Sequence, residues 1–184
     1  MEATAAAVDL VAGRSCDGCT MCCKLLEVAP LNKPRATWCT HCDQKRGCTI
    51  YPDRPGACRS FHCGYLRIGH LDERWKPSKA KFLVNYEDQA NRIAIHVDPA
   101  RPNAWRVAPF YATIKQWSQR AFAERRLLIV WSAQHAIVVL PDRDCDLGIV
   151  RDDQFIVPVQ RMTARGPIVD FEVANADDLR VKAI

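Results

Sequence analysis

The chain has 184 residues, 48% of them hydrophobic, a formal net charge of +5 and ten cysteines. That is enough chain for one compact domain and a smaller appended module. No stretch approaches the roughly 20 consecutive apolar residues of a membrane span, and the scattered basic residues, not interleaved with stacking aromatics, argue against a nucleic-acid surface.

From the N-terminus, residues 1–13 lack the positive start and apolar centre of an export signal. A disulfide framework needs an oxidising compartment, so the thiols that follow are expected to be reduced and cytoplasmic. Nine of the ten cysteines fall between Cys16 and Cys63, beginning with Cys16-Asp-Gly-Cys19-Thr-Met-Cys22-Cys23. Thiols this crowded oxidise at random unless a metal holds them as thiolates, so the run reads as a metal site. The short apolar segment Lys24–Leu31 is expected to pack beside it.

A second group follows at Cys39-Thr-His-Cys42, with Gly47 supplying turn freedom before Cys48. The third runs from Cys48 through two prolines and Gly56 to Cys58 and Cys63, a turn that returns Cys58 toward Cys48. The candidate ligands are therefore Cys16, Cys19, Cys22, Cys23, Cys39, Cys42, Cys48, Cys58 and Cys63. His41 and His62 adjoin cysteines and read as hydrogen-bonding or surface residues.

Spacing leaves the metal open. Cys16/Cys19 and Cys39/Cys42 form the two Cys-x2-Cys pairs of a zinc site, whereas Cys16, Cys19 and Cys22 repeat the three-thiolate idiom of iron–sulfur ferredoxins. Cys22 and Cys23 are poorly placed to share one small ion, so they serve two centres or one of them is structural. Residues 1–80 carry 12 Lys and Arg against 8 Asp and Glu, and the remainder 14 against 13, so the basic excess sits with the cysteines. Four thiolates leave about −2 on a divalent ion, and the cations are expected to compensate that charge.

Residues 1–80, poor in aliphatic clusters, read as a loop-rich module folded by its ligands, and 81–184 as a mainly antiparallel β domain with one main helix, an α+β protein overall. Strands are expected at Lys81–Tyr86 and Arg92–Val97. A helix follows Pro109, with Phe110, Ile114, Trp117 and Ala121 on one face. Further strands are expected at Leu127–Trp131, Ala136–Leu140, Leu147–Val150, Phe155–Val159 and Ile168–Val173. Asp142, Asp144 and Asp146 imitate a calcium loop, but Leu147 stands where that loop needs glycine, so the segment reads as a polar hairpin loop bearing a spare surface thiol, Cys145. His96 and His135 read as core or surface histidines, the tryptophans as packing residues, and no phosphate-binding motif is present.

The spacing Cys16-x2-Cys19-x2-Cys22-Cys23, followed by Cys48-Thr-Ile-Tyr-x2-Arg54-Pro55-x2-Cys58-Arg59-x-Phe-x-Cys63, resembles the CxxCxxCC cysteine-cluster family, the YkgJ-like zinc- or iron-chelating proteins of bacterial type. The resemblance covers about residues 14–65. It implies eight principal ligands: Cys16, Cys19, Cys22, Cys23, Cys48, Cys58 and Cys63, with one from Cys39 and Cys42. A related cluster occurs in bacterial flagellin lysine methylases, where the resemblance implies an iron–sulfur centre; no methyl-donor site accompanies it here. Two functions follow as expectations: a metal-binding protein holding zinc or an iron–sulfur centre and presenting a surface to a partner protein, or an iron-dependent redox or modifying enzyme.

Overall fold

A computed structural model describes residues 10–164 and 166–181. The chain forms two compact units, Met1–Tyr86 with His96–Trp105, and Glu87–Ile95 with Arg106–Ile184. The expected α+β class holds: short helices and paired strands alternate along the chain, and the resolved pairings are antiparallel.

The first unit is built from short elements. They are α1 (Met21–Leu25), the strand pair β1 (Cys42–Asp43) and β2 (Gly47–Cys48), α2 (Gly56–Ser60), α3 (Gly64–Arg67), α4 (Pro77–Ala80) and β3 (Phe82–Glu87). Contrary to expectation, this unit buries an apolar core. Met21, Leu25, Val28, Leu66, Leu71, Trp75, Phe82, Leu83, Val97 and Trp105 are all buried, and Trp75 meets Phe82 edge-on with ring centroids 5.7 Å apart. The later residues Phe82, Leu83, Val97 and Trp105 complete what residues 1–80 supply only in scattered single positions.

Two cations fasten the loops of this unit. The Arg14 guanidinium donates to the carbonyls of Tyr65, Ile68, Gly69 and Leu71 and lies over the Tyr65 ring, 4.7 Å from its centroid. Lys24 donates to both carboxylate oxygens of Asp98 at 2.7 Å, joining α1 to the 96–105 segment. Burial works against ionised Asp98, but the Lys24 ammonium and the Ala100 N–H outweigh it and hold this carboxyl below the usual range.

Close packing also fixes α3. A Cβ added at Gly64 would lie 3.0 Å from Val84 Cβ and 3.3 Å from Val84 Cγ1, atoms of a buried side chain on β3. Gly64→Ala is expected to destabilise this unit by about 1–3 kcal/mol. Chemical denaturation would show it as a lower midpoint at unchanged slope.

In the second unit, β4 (Arg92–Val97), α5 (Phe110–Ala123), β5 (Leu127–Ser132), β6 (His135–Val139) and β7 (Asp144–Ile149) precede a separate two-stranded ribbon, β8 (Gln154–Thr163) and β9 (Gly166–Asn175). Strands β5, β6 and β7 pair antiparallel in chain order. Ala94, Ile129, Trp131, Ala136, Val138, Leu140, Val150 and Phe171 make the core of this unit. On α5 the buried positions are Ile114, Ser118 and Ala121, so Ser118 takes the central place expected for Trp117; its hydroxyl donates to Val139 O at 2.6 Å.

The acidic segment is corrected from loop to strand, because Asp144 and Cys145 begin β7. Asp144 accepts from Arg106 (2.7 Å), Tyr111 (3.0 Å) and Lys115 (3.3 Å), which spends its charge on side chains of this unit. Cys145 is half-buried and not a surface thiol. Burial first, and then the Asp170 carboxylate, push its titration up. His135 lies at the surface, 2.6 Å from Asp146.

Candidate metal centre

Each cysteine pair is presented by a local turn. Cys19 N donates to Cys16 O at 2.8 Å and Cys42 N to Cys39 O at 3.0 Å, so both Cys-x2-Cys segments are closed by the same backbone bond. Asp43 Oδ1 caps the loop after the second pair by accepting from the Lys45 and Arg46 N–H groups. Gly47, at φ 100°, then reverses the chain so that Cys48 lies opposite Cys42 across β1 and β2. Cys39 N donates to Cys23 O at 2.9 Å, tying this knuckle to α1. Cys58 lies within α2 and Cys63 immediately precedes α3, while Val11 N donates to Leu66 O at 2.8 Å and, with the Arg14 clamp, carries the Cys16 loop to α3.

All ten cysteines are free thiols. The electrostatic neighbours of the nine clustered ones group them around two centres of mutual influence, with Cys22 coupled to both. Cys16, Cys19, Cys22 and Cys63 form the first: Cys19 acts on Cys16, both act on Cys63, and both act on Cys22. The second contains Cys23, Cys39, Cys42, Cys48 and Cys58, with Cys23, Cys39 and Cys48 acting on both Cys42 and Cys58. Cys22 and Cys23 are adjacent on α1, and their thiols interact directly with each other.

A chain of sulfur hydrogen bonds links the sets. Its bond to Cys23 is the first cause that pushes the Cys22 thiol up, and the same bond is the first cause that lowers Cys23, to about 6, with a further bond to Cys42 and the Lys33 charge assisting. Burial of the sulfur leads in raising Cys16, Cys42, Cys58 and Cys63, with Cys42 pushed up to about 12. Among the described residues, no group of three or more His, Cys, Asp or Glu side chains is placed to hold a metal ion. The thiols are therefore neighbours that have not converged.

Positive charge surrounds both sets. Arg54 lies over the Tyr51 ring, 3.9 Å from its centroid, and its charge reaches Cys16 in one set and Cys58 in the other. Lys76 reaches Cys16 and donates to Asp17 O at 3.0 Å. Lys33 reaches Cys39, Cys23, Cys22 and Cys58. A soft donor set enclosed by cations fits zinc or an iron–sulfur cluster, both of which leave net negative charge on their thiolates.

His62 Nδ1 lies 3.1 Å from Ser60 O at the surface, and His41 uses its backbone carbonyl to accept from Thr49. Arg14 and Lys33 escaped sequence reasoning. Neither stands in a motif, and the only signal was the excess of basic residues around the cysteines.

Among the described residues, no helix is long and apolar enough to cross a membrane. No family model, curated protein or solved structure matches the chain.

Proposed function

We propose that this is a metal-binding protein that holds zinc or an iron–sulfur centre at two thiolate sites. One site uses Cys16, Cys19, Cys22 and Cys63, and the other uses four of Cys23, Cys39, Cys42, Cys48 and Cys58. The crowding of nine free thiols on two backbone-closed Cys-x2-Cys turns, the β1–β2 knuckle and the short helices beside them supports this reading, since four thiolates complete a tetrahedral zinc site or ligate a four-iron cluster. Thiols at this density suit a reducing compartment, and a cytoplasmic protein is part of the same proposal.

Sites with all four positions filled by thiolate serve structure or electron transfer, whereas an open position serves catalysis. Anaerobic purification followed by metal analysis and an absorption spectrum tests the proposal. Bound zinc without colour, or iron with a broad thiolate-to-iron band near about 400 nm, supports it and names the metal. A protein that binds neither zinc nor iron under reducing conditions overturns it.

A further inference from the structure

Among the described residues, Cys42 and Cys48 are the one pair of cysteines that a strand register sets directly opposite each other. Strands β1 and β2 run antiparallel with Cys42 facing Cys48 and Asp43 facing Gly47. Just past the ribbon, Thr49 N donates to His41 O at 2.9 Å, so residues 41 and 49 make the hydrogen-bonded pair and Cys42 with Cys48 the neighbouring non-hydrogen-bonded one. Opposed residues of that kind have Cα atoms about 4.5 Å apart and side chains on the same face, within the span of about 4.4–6.8 Å that a disulfide bridges. The intervening loop holds this register. Asp43 Oδ1 accepts from the N–H groups of Lys45 (2.8 Å) and Arg46 (3.0 Å), and Gly47 closes the turn at φ 100°, a conformation that favours glycine. Both thiols are free and half-buried, which leaves them open to a small oxidant.

We propose that Cys42 and Cys48 are a peroxide-sensitive dithiol, a site of reversible oxidative modification that clips β1 to β2. Hydrogen peroxide takes one sulfur to the sulfenic acid and leaves as water. The second thiol attacks that sulfur, the S–O bond breaks, and a second water departs with the thiol proton, so two thiols and one peroxide give one disulfide and two waters. A small thiol such as glutathione restores the dithiol by exchange and is itself oxidised to its disulfide. Neither the geometry nor either step involves a metal. Under the metal-binding reading above, the same oxidation withdraws two thiols from the five-thiol set.

The test treats the reduced full chain with an equimolar amount of hydrogen peroxide in the presence of a metal chelator, alkylates the remaining thiols and digests the product with trypsin. Cleavage after Lys45 and Arg46, both exposed, separates peptide 36–45, which carries Cys39 and Cys42, from peptide 47–59, which carries Cys48 and Cys58. The expected map shows the two peptides joined, with fragmentation placing the bond between Cys42 and Cys48, and separated again after glutathione treatment. The link should be lost in Cys42→Ser and in Cys48→Ser and kept in Cys39→Ser and in Cys58→Ser. A link that survives in Cys48→Ser, a disulfide confined to other cysteines, or a chain still fully reduced after peroxide overturns the inference. Metal content of the untreated chain decides the metal-binding reading separately, so the failure of one is distinguishable from the failure of the other.

Discussion

Cys63→Ser is expected to abolish one metal centre while leaving the other loaded. Under the proposed assignment the four-thiol set has no spare member, since Cys16, Cys19, Cys22 and Cys63 would each supply one ligand of a tetrahedral site. Structural zinc sites bind with about 10–16 kcal/mol of apparent free energy, so losing one outweighs any single packing defect in a domain of this size. The same argument gives Cys16→Ser, Cys19→Ser and Cys22→Ser the same outcome. In the five-thiol set one substitution among Cys23, Cys39, Cys42, Cys48 and Cys58 should be silent in metal content, and its position identifies the thiol that is not a ligand. Metal analysis of the nine serine variants checks both halves. Full metal content in Cys63→Ser would break the division into sets.

The second large effect belongs to Arg14. Its guanidinium satisfies four carbonyls on the chain between Tyr65 and Leu71, and each buried acceptor left without a donor costs about 1–3 kcal/mol. The Gly69 acceptor is exposed and recovers water, so Arg14→Met is expected to destabilise the first unit by about 4 kcal/mol. The damage should reach the metal site, because Arg14 and the Val11 N–H to Leu66 O bond bring the Cys16 loop to α3 and Cys63. Hydrogen exchange offers the check. Amides of Val11, Leu66 and Ile68 should lose protection in Arg14→Met while those of β5 and β6 keep it, and uniform protection in the variant would assign the clamp no energetic role.

Much of the second unit is legible in the chain because its signals are local. The strand at Arg92–Val97, though its burial does not alternate strictly, and the helical spacing of Ile114 and Ala121 come from runs of local side chains. Asp144 misleads for the opposite reason. Three aspartates in five residues read as a loop until Arg106, Tyr111 and Lys115, distant in sequence, neutralise the one that starts β7. The ten-residue strands β8 and β9 are longer than their apolar segments, since cross-strand pairs of Arg161 with Asp170 and Glu172 extend the ribbon past them.

In the first unit the pairing of Cys22 with Cys23 on α1 is visible in their adjacency. Its core is not visible, because Met21, Leu25, Leu66, Leu71 and Trp75 have no common period and are completed by residues from 82 onward. The same holds for Lys33. A lysine between asparagine and proline looks solvated, and only the three carbonyls converging on its ammonium show that it is buried.

Native mass spectrometry of the reduced, anaerobically purified chain tests the central claim most directly, since one spectrum reports bound metal and the protons displaced by it. The expected spectrum shows the chain carrying metal at two sites, with the mass deficit of deprotonated thiols, and reverts on acid denaturation to a chain with ten free thiols. A native spectrum that already shows the metal-free, fully protonated chain after purification with zinc and iron supplied would contradict it.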